Sequence, residues 1–196
     1  MKKIIKLAKK ALENHGLVVF PTETVMGIGV IYDDEIAFHK LNKVKRRTEN
    51  KPYTLMLSDA SKINVYGYIN GKIQRIIDHF MPGSLTILLQ KKDGLPTYVA
   101  PNATIGIRVP TNKEALDLLN ALDKPILAPS ANRAGEEPTY SSDEAKTIFG
   151  DEIDVYIPGC SKKEQPSTIV DLSGDEPLLI RKGPIPFEDI LDEWHK

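Results

Sequence analysis

The chain is short of cysteine: Cys160 is the only one in 196 residues. An intrachain disulfide is therefore excluded, and a reducing compartment is the simplest expectation. It lacks a charge of one sign, with 26 Lys and Arg against 27 Asp and Glu and a formal charge of -1. A protein that grips nucleic acid by bulk charge is thereby excluded. No apolar run approaches the roughly 18 residues that span a bilayer. The first residues, MKKIIKLAKKALENHG, are interrupted by lysines and do not form the apolar core of a signal peptide. The expectation is a soluble, cytoplasmic protein without a membrane partner.

Familiar catalytic signatures are missing as well. There is no Gly-x-x-x-x-Gly-Lys-Ser/Thr loop, and Gly27-Ile28-Gly29 lacks the third glycine of a dinucleotide loop. No Gly-x-Ser-x-Gly elbow anchors a hydrolase triad. His15, His39, His79 and His195 have no metal-ligand spacing, and one cysteine adds no cluster, so no protein-held metal is expected.

The apolar content of 41% and charged content of 27% are those of an ordinary globular chain. Without repeat, low-complexity tract or linker, residues 1–196 read as a single domain. Periodicity predicts helices over 2–15, from Asp33 or Asp34 onward with Ile36, Ala37, Leu41 and Val44 inward, after Asn70, after Thr111, over 141–149 and over 187–194. Thr111-Asn112-Lys113-Glu114 matches a capping box. Strands are predicted at 17–20, 53–57, 84–89, 104–109, 126–128, 155–157, 168–172 and 178–180. Alternating strands and helices predict an α/β fold, a twisted mixed β-sheet flanked by helices. The close spacing of the strands after residue 153 predicts antiparallel pairing among them.

Four polar segments interrupt strand ends. Pro21-Thr22-Glu23-Thr24-Val25-Met26-Gly27 offers two hydroxyls and a carboxylate directly after a strand, where crevices form in open α/β sheets. Lys43 to Lys51 holds five cations against Glu49, a composition suited to phosphate or to a solvated loop. In Thr104-Ile105-Gly106-Ile107-Arg108 the period of two puts Thr104, Gly106 and Arg108 on one face. An arginine between isoleucines needs an anion, either an internal carboxylate or a ligand's. Ala128-Pro129-Ser130-Ala131-Asn132 supplies small residues and neutral donors, and Ser167 and Arg181 repeat the pairing of hydroxyl and cation. Together they describe a cleft lined by hydroxyls and cations.

In order and spacing, FPTETVMGIG, KVKRRTENKP, MPGSLTILL, TIGIRVP, APSANRAG, STIVD and IRKGPI resemble the YrdC-like threonylcarbamoyl-AMP synthase family in its short, single-domain form. The resemblance implies a YrdC-like fold with a large basic cleft. It also implies an enzyme, a nucleotidyltransferase that joins L-threonine, bicarbonate or CO2 and ATP into threonylcarbamoyl-AMP and pyrophosphate. That product would pass to tRNA threonylcarbamoyl-transfer proteins for N6-threonylcarbamoyladenosine (t6A) in tRNA. By motif, Thr24, Arg108, Ala128 and Ser167 resemble threonine contacts. Lys45, Arg47, Lys51, Thr104, Ser130, Asn132 and Arg181 resemble ATP contacts, with Lys45 and Arg47 expected in the catalytic step. Mg2+ is expected as a companion of ATP, held mainly by phosphates. Met26 stands where the family commonly has Tyr, and Ala134 where Ser is frequent. Two other readings are a paralogue with another acceptor or a carbamoyl-transfer role, and a module that binds tRNA or double-stranded RNA weakly.

Overall fold

The computed structural model describes residues 1–47, 52–162 and 165–196. Its strands are β1 (Val18–Phe20), β2 (Gly27–Ile31), β3 (Leu55–Met56), β4 (Leu85–Gln90), β5 (Thr104–Arg108), β6 (Ile126–Leu127), β7 (Val155–Tyr156), β8 (Thr168–Asp171) and β9 (Leu178–Arg181). The α-helices are α1 (Lys2–Glu13), α2 (Glu35–Lys45), α3 (Gly71–Phe80), α4 (Lys113–Leu122), α5 (Ser142–Phe149) and α6 (Phe187–Trp194). All nine strands join one mixed sheet in the order β7-β1-β2-β6-β3-β5-β4-β8-β9. No described helix is long and apolar enough to cross a membrane.

Alternation along the strands divides the core between the two faces of the sheet. Val19, Ile28, Val30, Leu55, Ile87, Ile105, Ile107 and Val170 pack with residues of α2, α3, α5 and α6 in one apolar cluster. Val18, Phe20, Met56 and Ile126 point the other way and pack with Ile5, Ala8 and Leu12 of α1 and Ala115, Leu118, Leu119 and Leu122 of α4. On that second face the neighbouring strands carry Thr86, Leu88, Gly106, Arg108, Ser167 and Ile169 instead of a continuous apolar stripe. These residues line a cleft where the helical cover ends.

Helix ends follow local chemistry. The side chains of Asp34, Asn70, Asn112 and Ser141 accept hydrogen bonds from backbone N–H groups in the first turns of α2, α3, α4 and α5. Here the capping box is corrected: Asn112, not Thr111, caps α4, with its Oδ1 accepting from Ala115 N at 3.0 Å. The carboxylate that would come from Glu114 comes instead from Glu23, whose Oε2 accepts from the amides of Thr111 (3.2 Å) and Asn112 (3.3 Å). Ile36 also departs from expectation, being 56% exposed. Ala37, Leu41 and Val44 form the buried i, i+4, i+7 stripe, and Ile36 sits about 100° off it.

Two strand expectations change. β2 has no counterpart in the sequence reading, because its glycines resemble a loop. The strand uses them for close packing: a Cβ on Gly29 would lie 2.9 Å from the Phe20 ring. Of the three carboxyl-terminal strands, β8 and β9 pair antiparallel as expected. β7 instead joins β1 in parallel at the opposite edge of the sheet. It is drawn there by Asp154, whose Oδ2 accepts from Leu17 N at 2.8 Å, and by the Ile157 N to Val19 O bond.

Candidate active site

The cleft has a volume of about 430 Å³. Thr22, Thr24, Thr54, Thr86, Ser130 and Ser167 supply hydroxyls to its walls, and Arg47, Arg108 and Arg181 supply cations. No described lining residue is Asp, Glu or His. Met26, Met56, Leu88, Ile169 and Ile180 complete it with apolar surface. This size and mixture suit a small, highly polar ligand.

Three strands build the first wall. Arg108 ends β5 with its side chain 7% exposed. Its Nη2 donates to Glu23 Oε1 at 2.6 Å and to Thr24 Oγ1 at 3.0 Å. Of the two anion sources left open by the sequence, the structure supplies the internal carboxylate, Glu23. Glu23 stands behind Arg108 rather than in the cleft lining. Arg108 Nε is buried without a hydrogen-bond partner. Gly106 keeps the strand surface low beside it, since a Cβ there would meet Leu88 Cδ2 at 3.0 Å. Arg181 on β9 donates through Nε (3.0 Å) and Nη2 (2.8 Å) to the carbonyl of Ser167, and Ser167 Oγ lies 2.9 Å from Thr86 Oγ1. Burial, and secondarily the charge of Arg108, hold the Arg181 pKa below its ordinary value. Two like charges thus share this wall, and an anion between them would relieve both.

The second wall comes from loops. α2 ends at Arg46, whose left-handed backbone (φ 52°) separates the directions of Lys45 and Arg47. Arg47 enters the cleft with its guanidinium 4.4 Å from the centre of the Tyr53 ring. Burial raises the Tyr53 pKa, and the Arg47 charge partly opposes this. Ala128, Pro129 and Ser130 follow β6 and line the same cleft as Arg47; Ala128 N donates to Thr54 O at 2.9 Å. Ser130 Oγ donates to Asn132 Oδ1 at 2.6 Å, and Asn132 Nδ2 donates to the carbonyls of Arg133 and Glu136.

Of the expected site residues, Thr24, Arg47, Arg108, Ala128, Ser130, Ser167 and Arg181 share this cleft. Lys45, Thr104 and Asn132 do not line it. Thr104 begins β5, at the opposite end from Arg108. Lys45 is 4% exposed and lies beneath the 129–132 segment. Lys51 falls outside the described residues. The sequence reading missed Thr86 and the supporting role of Glu23; Met56, where many longer relatives of the family it resembles have His, does line the cleft. The Thr86 signal was present, since a threonine at an inward position of LTILLQ breaks an otherwise apolar strand.

A family model for Sua5/YciO/YrdC domains, described as telomere recombination, matches residues 10–183. The chain belongs to this family. It is 36% identical over 190 residues to a putative threonylcarbamoyl-AMP synthase of Methanocaldococcus jannaschii, covering 96% of this chain and 90% of that protein. The crystal structure of Pyrococcus abyssi Sua5 complexed with L-threonine superposes with a TM-score of 0.91 at 30% identity, across 96% of this chain and 56% of that one. Escherichia coli YciO superposes with a TM-score of 0.89 at 28% identity, across 97% and 94%. The YrdC-like fold is thus that of its solved relatives, and the family includes proteins named threonylcarbamoyl-AMP synthase.

Proposed function

We propose that this protein is an L-threonylcarbamoyl-AMP synthase acting on L-threonine, bicarbonate or CO2 and ATP, with the product used by tRNA threonylcarbamoyl-transfer proteins for t6A. The observation that carries the reading is the convergence of Arg47, Arg108 and Arg181 with the hydroxyls of Thr24, Ser130 and Ser167 in one cleft. A relative named for this activity, and the structural relative Pyrococcus abyssi Sua5 crystallised with L-threonine, support it.

The chemistry asks for orientation and charge neutralisation. The threonine amine attacks CO2 through its nitrogen lone pair and releases a proton to solvent. A carbamate oxygen then attacks the α-phosphorus of ATP, and the bond to the pyrophosphate oxygen breaks. Guanidinium and hydroxyl donors among the described lining residues stabilise the charge on carboxylate and phosphates. On this reading the Arg108 and Ser167 wall takes threonine, and Arg47 with Ser130 takes the nucleotide. The described residues contain no cluster of three or more His, Cys, Asp or Glu side chains able to hold a metal. On this reading Mg2+ comes as a companion of ATP, carried by its phosphates.

Incubation with threonine, bicarbonate and ATP, followed by mass detection, should reveal threonylcarbamoyl-AMP. Arg47→Ala should lower its formation at least about tenfold, because a phosphate clamp is worth a few kcal/mol. Unchanged turnover at both limiting and saturating ATP would remove Arg47 from that role. Met26, fully buried yet in the cleft wall, favours running serine and an amino-acid-free control beside threonine. Equal turnover with serine would point to a paralogue with another acceptor.

A further inference from the structure

Lys45 is placed unlike any other cation near the cleft. Its ammonium donates to the carbonyls of Ser130 (2.6 Å) and Asn132 (2.7 Å) and lies 3.4 Å from Asn132 Oδ1. Its own carbonyl accepts from Ala134 N at 2.8 Å. An ammonium has three N–H donors, and here they face a single stretch of chain. The same stretch is also tied to β2 and the residue before it, through Ile28 N to Pro129 O at 2.9 Å and Ala131 N to Met26 O at 2.7 Å, and to Thr139, whose Oγ1 donates to Ala131 O at 2.8 Å.

Among the described residues, the charged groups facing Lys45 are cations. Arg47 follows it on the chain, and Arg133 approaches from the segment after β6. Arg133 is itself held by the carbonyls of Val44 and Ile148 and by Glu152. Tyr53, the neighbouring titratable side chain, lies under Arg47. No described hydrogen bond or ion pair gives Lys45 a carboxylate. Burying an ammonium without a counter-ion is costly, and an apolar side chain would fill the volume more cheaply. What the ammonium adds is direction: three donors converge on carbonyl oxygens whose own segment forms one wall of the cleft.

We propose that Lys45 is a positioning residue, which acts on the nucleotide through the 129–132 segment that it clamps rather than by touching it. The proposal rests on the synthase reading above for the identity of the nucleotide, but the clamp itself does not depend on it.

The test reads the two separately. In the free protein, hydrogen exchange of amides 130–134 at pH 7 should accelerate at least about tenfold in Lys45→Met, because local opening no longer breaks charge-assisted bonds. Amides of α1 and α4 should not change. Lys45→Arg, which keeps charge and donors, should stay within about threefold of the parent. In turnover, Lys45→Met should raise the ATP KM at least about tenfold with kcat and threonine KM little changed, the signature of lost binding alone, and Lys45→Arg should restore most of it. Wild-type exchange rates in Lys45→Met would overturn the proposal. So would a fall in kcat with an unaltered ATP KM. If wild type forms no adenylate, the synthase reading fails alone and the exchange experiment still decides the clamp. Should Lys45→Met not fold, Lys45→Gln carries the same measurement with an intermediate acceleration expected.

Discussion

Arg108 stands at the end of a strand with its guanidinium 2.6 Å from the Glu23 carboxylate; beneath the loop after β6, Lys45 closes a helix with its ammonium on two carbonyls and no carboxylate partner among the described residues. Both cations are almost wholly buried. The difference follows from their chemistry. Arginine keeps its proton under all ordinary conditions, so its burial demands a counter-charge, and the loop after β1 brings one. Lysine can release its proton, so it tolerates a site without one. Burial, followed by repulsion from Arg47 and Arg133, lowers the Lys45 pKa to about 8. A paired charge gives this fold a rigid wall, whereas an unpaired one gives it a clamp whose strength is linked to protons.

The largest expected effect breaks the paired side. Arg108→Met or Glu23→Ala alone leaves a buried charge uncompensated, and either should destabilise the protein by about 3–5 kcal/mol in urea unfolding. The double variant should lose markedly less than the sum. Strict additivity would show that the two charges do not sense each other.

A smaller effect sharpens the unpaired side. The folded pKa of Lys45, about 8, lies below its unfolded value of 10.5, so between these limits the unfolded chain binds more protons. Stability should therefore rise with pH across this window by up to about 1.4 kcal/mol per pH unit relative to Lys45→Met, with no such difference in slope below pH 8. Parallel pH profiles for the two proteins would place the lysine in solvent.

The smallest effect joins the two sides to their supports. Asn112→Ala should cost about 1 kcal/mol as a lost helix cap. By loosening the amides on which Glu23 rests, it should also raise the threonine KM more than the ATP KM. An equal change in both would sever the link between α4 and the Arg108 wall.

Strand-borne site residues were legible because a period of two states which face a side chain takes. Arg108 and Gly106 could be assigned to one surface of β5 from TIGIR alone, and the structure puts both in the cleft. Thr104 shares that face, yet it lies at the wrong end of the strand. Periodicity reports the side of a sheet and not the position along it. Loop-borne residues were legible only as motifs. In KVKRR, Lys45 and Arg47 stand two residues apart, but the left-handed turn at Arg46 sends Arg47 into the cleft and leaves Lys45 beneath it. β2 escaped notice because its glycines serve the Phe20 ring, a partner that no local window contains.

By itself the sequence determined the helices and most strands, their apolar faces, and the hydroxyl and guanidinium character of a site at the strand ends. These depend on neighbours a few residues apart. Only the tertiary structure decided that Glu23 answers Arg108 across 85 positions, that Lys45 meets Ser130 across the same separation, and that β7 returns to β1. Those pairings depend on the order of strands in the sheet, and strand order is settled by which buried surfaces and charges can be satisfied together.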